Sequence, residues 1–477
     1  MHDSRKYESR GKQLINICKS AAGKIKKYDV DEFEIFTASS VDNDIEIFKS
    51  KIETLSFSDS IGIGIRIFKD KSVGYAYTTV LENKSIEDCI EKAVLNSKIT
   101  GREKYNYLPT EEEYIYKKKL ISDKLLFRES LLNYGIEDKV SIAKKLEDLT
   151  RSKDKRITDI ENVSYRDSIY ETAILNSAGF CNNYKKTTCM IYINVISREG
   201  NDTSTGDFFG CGRSPDVIDL NRVADKAAER SVAVLGGKKI KSDRVSLLLD
   251  PAVSAQFLSV IADGITADSV QKRKSVFEDK IGEKIFSADI NIFDDGTLAE
   301  GLASRPFDGE GVIKGKTCVF DKGYLKTYLY NTYTARKDKT LSTGNAVRAS
   351  YRSTPEVGIS NFYIEPSKYG FNELLRDLKE GFYVIDVIGM HSGVNNISGQ
   401  ISVGAKGLWI KNKRTKNPVK EVTIATDILS FCKSIEKVGS DLEFFPLNGY
   451  VGSPSLLFRN VTDSGLCKIY YRQLKFL

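Results

Sequence analysis

The stretch from Leu302 to Ala425 constrains the fold of this chain more than any other part of the sequence. It contains five segments rich in Gly, Asn, Ser and Thr, each lying between apolar, β-forming residues. Such residues satisfy backbone groups at tight turns, and glycine tolerates positive φ. Turns in close succession predict short strands whose loops gather at one end of a sheet, where sites are usually built. The five segments are 302–312, 331–337, 342–346, 360–366 and 393–410.

The composition is that of an ordinary globular protein without a strong charge bias. The chain has 477 residues, of which 41% are hydrophobic and 29% are charged, so it can hold two or three domains with buried cores. Its 72 basic residues exceed the 65 acidic ones by a small margin spread along the chain. A nucleic-acid binder usually concentrates such an excess, so a solvated surface is favoured and nucleic acid is disfavoured as a partner.

The sequence gives no sign of a membrane segment or of an export signal. No apolar run reaches the length needed to span a bilayer, and residues 1–20 lack the apolar core of a signal peptide. The eight cysteines are scattered and form no C-x-x-C pair, so they predict neither a zinc knuckle nor a redox dithiol. Buried free thiols in a reducing cytoplasm are the expectation.

Hydrophobic periodicity predicts an α+β protein with three domains. Residues 1–105 are expected to form an antiparallel sheet with helices, residues 106–240 an α/β middle domain, and residues 241–477 a sheet-rich C-terminal domain. The predicted helices are 12–28, 85–97, 136–149, 221–235, 252–267, 372–378 and 427–434. The clearest predicted strands are 31–39, 43–50, 51–58, 61–68, 73–79, 157–165, 168–176, 187–197 and 244–249.

Few residues of the sequence are typical of a catalytic centre. Only two histidines occur, His2 and His391, and no His-Glu-x-x-His motif is present. A catalytic zinc site usually takes three protein ligands. A triad hydrolase would have only His391 as its base, and a structural hydrogen-bonding role is favoured for that residue. Residues 309–317 read GEGVIKGKT, but Glu310 stands where a phosphate loop requires glycine, so we predict a hairpin there.

Ten segments form an ordered set of motifs along nearly the whole chain. They are FEIFTASS (33–40), the residues 45–78, ILNSAGF (174–180), VISREGND (195–202), LASRPFDGEGV (302–312), NTYTARK (331–337), STGNA (342–346), SNFYIEP (360–366), SVGAKGLWI (402–410) and PVKEVTIA (418–425). In this order they resemble the TldD/PmbA family, whose members were once labelled modulators of DNA gyrase. So many motifs in one order make the resemblance highly specific.

The resemblance implies a place in a metallopeptidase system without a metal in this chain. The TldD branch of the family carries a zinc-binding His-Glu-x-x-x-His on a helix and a distant cysteine ligand, whereas the PmbA branch, also called TldE, lacks them. An ungapped placement puts Leu258, Ser259 and Asp263 at the helix ligand positions, and the cysteine region near 448–453 has no cysteine. The resemblance therefore implies no catalytic residue and no cofactor here, with zinc expected only in a TldD-like partner.

Three functional hypotheses follow from the resemblance and the residues. The first is a PmbA/TldE-like component of a cytosolic peptidase that degrades unfolded peptides, in which this chain binds peptide and supports a TldD-like catalytic subunit in a heterodimer. The second is a stand-alone homodimeric peptide-binding protein without protease activity. The third, less favoured, is a nucleic-acid or gyrase modulator, which would require binding that falls steeply with salt.

The loop 389–404 supplies the main candidate residues for peptide binding. His391, Asn395 and Asn396 carry imidazole and amide groups, which pair with backbone N–H and C=O groups without selecting a sequence. The alternative is that these groups only cap turns within the loop. Three further candidates lie in the turn-rich segments that resemble the PmbA branch, and these are Arg305, Asp308 and Asn345.

Overall fold

The computed structural model describes residues 4–115, 121–240, 245–412, 414–459 and 468–471, and it confirms the predicted α+β class. The helices are α1 (Ser4–Ile25), α2 (Asn83–Ile99), α3 (Glu111–Ile115), α4 (Asp123–Leu126), α5 (Ile136–Arg151), α6 (Leu220–Val232), α7 (Pro251–Gly264), α8 (Ala267–Gln271), α9 (Thr332–Lys337), α10 (Phe371–Leu378), α11 (Met390–Gly393) and α12 (Ile428–Ser434). Every predicted helix is therefore present, although the predicted helix 252–267 ends earlier, at Gly264, and α8 begins at Ala267 after the cap residue Thr266.

The strands are distributed over three large sheets and one two-stranded ribbon within the described residues. They are β1 (Glu32–Phe48), β2 (Lys51–Lys69), β3 (Ser72–Thr78), β4 (Ile157–Asn176), β5 (Cys181–Glu199), β6 (Asp202–Gly212), β7 (Leu247–Leu249), β8 (Ile292–Asp295), β9 (Lys316–Asp321), β10 (Tyr324–Leu325), β11 (Ala346–Val347), β12 (Glu356–Val357), β13 (Asn361–Ile364), β14 (Glu380–Ile388), β15 (Gln400–Lys411), β16 (Arg414–Asp427), β17 (Ile435–Val438), β18 (Glu443–Phe445), β19 (Tyr450–Ser453), β20 (Leu456–Phe458) and β21 (Lys468–Tyr471).

The first sheet is built from long strands, and the prediction of shorter, separate strands was wrong here. Its antiparallel order is β3-β2-β1-β4-β5-β6, and β1 runs without a break through Ser40, Val41 and Asp42. The polar side chains between the two predicted strands have partners inside the sheet: the Ser40 hydroxyl lies 2.8 Å from Asp42 Oδ2 and 2.9 Å from the hydroxyl of Ser60 on β2. Because these side chains find partners there, the strand continues.

Separate apolar clusters line the first sheet under its helices. Helices α1 and α2 pack on β1 and β2, where Leu14 and Ile90 meet Ile65. Helices α5 and α6 pack on β4, β5 and β6 around residues such as Leu146 and Ile191. The strands of the predicted first and middle domains thus form one sheet, and residues such as Phe36, Tyr184 and Ile169 contribute to further apolar clusters. The boundaries at 105 and 240 stay predictions.

The C-terminal part holds two more sheets around one large core. Their orders are β10-β9-β8-β13-β19-β18 and β17-β20-β7-β14-β15-β16-β21. Helix α7 packs against both of them, contacting β14 and β19, and its Phe257 ring stacks on Phe431 of α12 at 4.5 Å. Asp250 caps this helix by accepting a hydrogen bond from the Ala252 N–H at 3.0 Å. None of the helices in the described ranges combines the length and apolarity needed to cross a membrane.

Candidate functional site

A buried ion network ties the first sheet to the turn-rich C-terminal segment. The Arg66 guanidinium on β2 donates to Glu34 on the neighbouring strand at 2.9 Å and to Glu310 at 3.1 Å. Arg348 forms a further ion pair with Glu34. Burial opposes the charge of Arg66, but Glu34 and Glu310 outweigh it, so the pKa of the guanidinium is raised. The network fixes residues 309–311 against the sheet.

Glu310 also holds the start of a helix. Its Oε2 atom accepts a hydrogen bond from the backbone N–H of Thr332, the first residue of α9, at 2.9 Å. The Asn331 side chain caps the same helix by accepting from the Thr334 N–H at 2.9 Å. Phe307 and Ile313 form an isolated antiparallel bridge around the turn 308–312. The hairpin predicted over 309–317 is not the arrangement found, because Lys316–Asp321 is the single strand β9 and pairs with β8. Glu310 therefore has a structural function that the sequence did not suggest.

Beside this network lies a polar groove of about 670 Å³, which we call the central groove. Its volume is that of an ordinary ligand site, for which roughly 300–1,000 Å³ is typical. Elements from both halves of the chain form its walls: strands β2, β3 and β12, the junction of α7 with α8, the start of α9, and several loop residues. The lining includes Arg66, Asn106, Asp263, Thr266, Asp268, Ser269, Lys272, Glu310, Asn331, Thr334 and Asn396.

Two side chains of the central groove have polar atoms suited to a ligand. Asp263, in the last turn of α7, is exposed as a residue, yet the groove walls desolvate its carboxyl group and raise its pKa. The Oδ1 atom of Asn396 is buried and accepts no hydrogen bond within the described part of the chain. A buried acceptor without a hydrogen-bond partner lowers the stability of the protein, unless a ligand or a water molecule donates a hydrogen bond to it. Both atoms can accept hydrogen bonds from backbone N–H groups.

A second, larger groove of about 1670 Å³ follows the outer face of β15 and β16. We call it the sheet groove. Small residues form much of its floor, including Ser402, Gly404, Thr423 and Ala425. Asn395 lines this groove, but its Oδ1 atom accepts from the backbone N–H groups of Ile397 and Ser398, both at 3.0 Å. Its side chain therefore caps a turn within the loop, which is the alternative that the sequence left open.

The loop 389–404 does not bring its three candidate residues to one surface. Asn395 lines the sheet groove and Asn396 lines the central groove. His391 lies in the short helix α11 with its side chain exposed, and it is absent from the described walls of both grooves. Neighbouring residues of a compact loop point in different directions, so closeness in sequence did not predict a shared site. A role of all three in peptide binding stays a prediction.

The other candidates lie deeper in the structure. Asp308 is buried and accepts hydrogen bonds from the N–H groups of Glu310, Val312 and Ala346; burial first, and Glu310 second, raise its pKa. Asn345 is also buried and donates to Asp294 at 2.7 Å and to the Gly358 carbonyl at 2.9 Å. These two side chains use their polar atoms to hold loops together.

Arg305 is the third of these deeper candidates. It is half-buried, and its Nε atom lacks a hydrogen-bond partner in the described part of the chain. A peptide-binding role for Arg305, Asp308 and Asn345 stays a prediction.

The three positions placed on the zinc motif do not fit a metal site. Leu258 has no donor atom and is 1% exposed within the main core, and the Ser259 hydroxyl donates to the Gln256 carbonyl at 2.8 Å. Asp263 is the one carboxylate among them. Within the described residues, no group of three or more His, Cys, Asp or Glu side chains is placed to hold a metal ion. The side chains at these positions are therefore unsuited to zinc.

Comparison with known proteins matches the chain to one family along most of its length. Models of the PmbA/TldA metallopeptidase match domain 1 to residues 33–97, the central domain to residues 129–235 and the C-terminal domain to residues 242–465. The metalloprotease PmbA homolog of Buchnera aphidicola subsp. Acyrthosiphon pisum is 26% identical over 440 residues, which cover 92% of this chain and 95% of that protein.

Two further proteins agree with this match. The metalloprotease PmbA of Escherichia coli is 24% identical, and the match covers 91% of this chain and 92% of that protein. The crystal structure of TldE from Thermococcus kodakarensis has the same fold, with a TM-score of 0.84, 22% identity, and coverage of 95% of this chain and 99% of that one. The chain belongs to the PmbA/TldD metallopeptidase family.

Proposed function

We propose that this chain is the non-catalytic, PmbA/TldE-like component of a cytoplasmic peptidase. It binds unfolded peptide and supports a TldD-like catalytic subunit, which holds the zinc. The family membership supports the metallopeptidase context. The more specific role rests on the residues of this chain, because the positions placed on the zinc motif hold Leu258, Ser259 and Asp263.

The observation that carries the proposal is the lining of the central groove. This groove of about 670 Å³ lies beside the last turn of α7, and its walls carry amides, hydroxyls and charged side chains. Among the described residues, no group of three or more possible ligands is placed to hold a metal ion. Such groups accept and donate hydrogen bonds. The surface is thus suited to binding a ligand that is rich in hydrogen-bonding groups.

An extended peptide fits the chemistry of the central groove. The free Oδ1 atom of Asn396 and the carboxyl group of Asp263 can accept hydrogen bonds from successive backbone N–H groups. His391 belongs to the same loop as Asn396, and its exposed imidazole can reach a peptide at the rim. Because every residue except proline has the same backbone groups, such binding depends on length and extension more than on sequence.

A stand-alone homodimer is the second candidate, favoured by an exposed strand. The part of β2 before Ile63 pairs with β1 on one side, whereas β3 pairs with β2 only from Ile63 onward. On this part, Leu55 is 53% exposed and Phe57 is 67% exposed. The free edge of a strand is a template for pairing with another chain, and exposed apolar side chains beside it favour such pairing. Copurification from the native host separates a TldD-like partner from a second copy.

The groove variants test the proposal directly. Asp263→Ala and Asn396→Ala should each weaken the binding of a fluorescent unfolded peptide about tenfold, because each removes one hydrogen bond to the ligand (about 1.4 kcal/mol). His391→Ala should have a smaller effect, since its imidazole is exposed to water. Fluorescence anisotropy measures the dissociation constants.

The matched control is Asn221→Ala, an exposed asparagine on α6 outside the central groove. This variant should bind peptide as the wild type does. The proposal is wrong if the two groove variants retain wild-type affinity while keeping their fold by circular dichroism.

A further inference from the structure

Three cationic side chains meet where the first sheet contacts the loop 302–312. Lys186 lies on β5, Arg213 follows the last residue of β6, and Arg305 lies in the loop itself. None of the three belongs to the lining of the central groove or of the sheet groove in the described residues. They form a separate feature, which we call the cationic cluster.

Arg213 anchors the cluster in the interior. It is 1% exposed, one of the largest fully buried side chains of the protein. Its Nη1 atom donates to the Thr187 carbonyl at 3.1 Å, and its Nη2 atom donates to the Gly301 carbonyl. These bonds link β5 to the segment that leads into Arg305. The Nε atom of Arg213 is buried without a hydrogen-bond partner among the described residues.

Lys186 and Arg305 approach the same place from the sheet and from the loop. Lys186 pairs in register with Tyr170 on β4, and its ammonium lies 5.5 Å from the centre of that ring. Two residues earlier on β5, Tyr184 packs edge-on against Phe307 at 5.2 Å. Because residues two apart on a strand share a face, Lys186 faces the loop of Arg305. Both cations are partly exposed, so a small ion can reach them.

Negative charge neutralises the cluster only in part. Within the described ranges, none of the three side chains takes part in a salt bridge, although ion pairs are common elsewhere in the chain. Burial is the main cause that lowers the pKa of Lys186 to about 7, and the further causes are the charges of Arg305 and Arg213. Burial also lowers the pKa of Arg213, to about 10, although the negative charge of Glu300 acts in the opposite direction. Desolvation and mutual repulsion make it unfavourable to hold these cations together, so a bound anion would stabilise them.

We propose that Lys186, Arg213 and Arg305 form a binding site for an oxyanion, a carboxylate or a phosphate group. The Nε atoms of Arg213 and Arg305 supply two unused donors, and the Lys186 ammonium supplies a third. Guanidinium groups match the geometry of carboxylate and phosphate oxygens. Tyr170 and Tyr184 add an aromatic surface next to the charges, which suits an anion attached to an organic chain.

The C-terminal carboxylate of a peptide is the ligand that we assign to this site. This assignment rests on the proposed peptide-binding function, whereas the oxyanion site itself does not. A terminal carboxylate is present once in every peptide, so its capture fixes the direction of the chain without selecting its sequence. Arg305 is also one of the residues that the sequence predicted for peptide binding.

Binding of two simple probes to the full chain tests the site. N-acetyl-dialanine as the free acid and inorganic phosphate should both bind the wild type in isothermal titration calorimetry, and the C-terminal amide of the same dipeptide should not. Lys186→Met and Arg305→Met should each weaken the binding of the free acid about tenfold or more. Removing the poorly compensated charge of Lys186 should leave the fold intact, which circular dichroism can verify.

Lys185→Met is the matched control. Lys185 is the neighbouring residue on β5, points to the other face, and lies 4.1 Å from the centre of the Phe127 ring. Its variant should bind the free acid as the wild type does. An equal loss in Lys185→Met and Lys186→Met would indicate a general effect of charge and would overturn the proposal.

The remaining outcomes separate the site from its assigned ligand. Binding of phosphate without binding of the free acid would support the oxyanion site and overturn the assignment to a peptide terminus. Absence of binding by both probes would overturn the site. The proposed function would survive that result if an amidated unfolded peptide still bound the wild type and lost affinity in Asn396→Ala.

Discussion

Replacing Arg66 by methionine should destabilise the protein strongly. The guanidinium is buried and joins Glu34 on β1 to Glu310 in the C-terminal part. After its removal, Glu34 keeps Arg348 as a partner, whereas the Glu310 carboxylate keeps the Thr332 N–H but no cation within the described residues. Removing one partner of a buried ion pair costs about 3–5 kcal/mol, because the other charge stays desolvated. We expect a loss of this size in the free energy of unfolding.

Urea unfolding, followed by circular dichroism and by the fluorescence of the single tryptophan, Trp409, measures this loss. When it is added to Arg66→Met, the second substitution Glu310→Gln should restore about 1–3 kcal/mol of the free energy of unfolding. This is the usual cost of a buried group without a partner, which the neutral amide would reduce. The amide oxygen of glutamine can still accept from Thr332. This partial rescue distinguishes an unpaired charge from a simple loss of side-chain packing.

Lys84→Met serves as the control for this experiment. Lys84 also forms an ion pair, with Asp88 at 2.9 Å, but both side chains are largely exposed. Exposed pairs contribute little to stability, so the unfolding midpoint should not change measurably. The reasoning would be refuted if Arg66→Met lost less than about 1 kcal/mol, or if Glu310→Gln gave no rescue.

Two further predictions concern metal content and pH. Purified alone, the chain should contain no stoichiometric zinc by elemental analysis and show no chelator-sensitive peptidase activity, because Leu258 and Ser259 are not suitable ligands; one tightly bound zinc per chain would contradict this. The pKa of Lys186 is lowered to about 7, so between pH 7 and its ordinary value the unfolded state binds more protons and the free energy of unfolding should rise with pH. Urea unfolding at pH 7 and pH 9 should show a smaller rise in Lys186→Met than in the wild type, and an equal rise would refute the argument.

Local patterns predicted the helices well because each helix carries its own signal. The apolar period of residues 252–267 places Phe257 and Ile261 on one face, and the Asp250-Pro251 pair marks the start of α7. The ends of the strands were harder to predict, because a polar residue ends a strand only if its side chain finds no hydrogen-bond partner within the sheet. The partner of Ser40 is Ser60, twenty residues away on the next strand. Sequence neighbours do not reveal that pairing.

The sequence named some residues that line the central groove and missed others, because the residues that meet there lie far apart in the chain. The turn-rich segments do approach one another, but the importance of Glu310 depends on Arg66, which is 244 residues away in the chain. In the same way, Asp263 and Asn396 meet at one groove from different elements. The loop 389–404 was predicted to supply polar side chains for peptide binding. The composition of the loop does not predict its internal geometry, which directs Asn395 and Asn396 to different grooves.

Buried carboxylates explain why the turn-rich stretch holds its shape. Asp308 accepts a hydrogen bond from the Ala346 N–H and so joins segment 302–312 to segment 342–346. Glu310 joins the first of these to α9 through the Thr332 N–H. Asp294 accepts from the Ser360 N–H at 2.6 Å and from Asn345 at 2.7 Å.

Each of these carboxylates accepts hydrogen bonds from backbone N–H groups that have no backbone partner within their turn. The carboxylates thus take the place that water has at an exposed turn. Polar side chains of this stretch that look suited to a ligand, such as those of Asp308 and Asn345, therefore form hydrogen bonds within the protein. The groups left for binding lie at its edges, with Asn396 on the central groove and Arg305 in the cationic cluster. In a turn-rich segment of this kind, the polar atoms that the fold leaves unpaired are accordingly the ones best placed to bind a ligand.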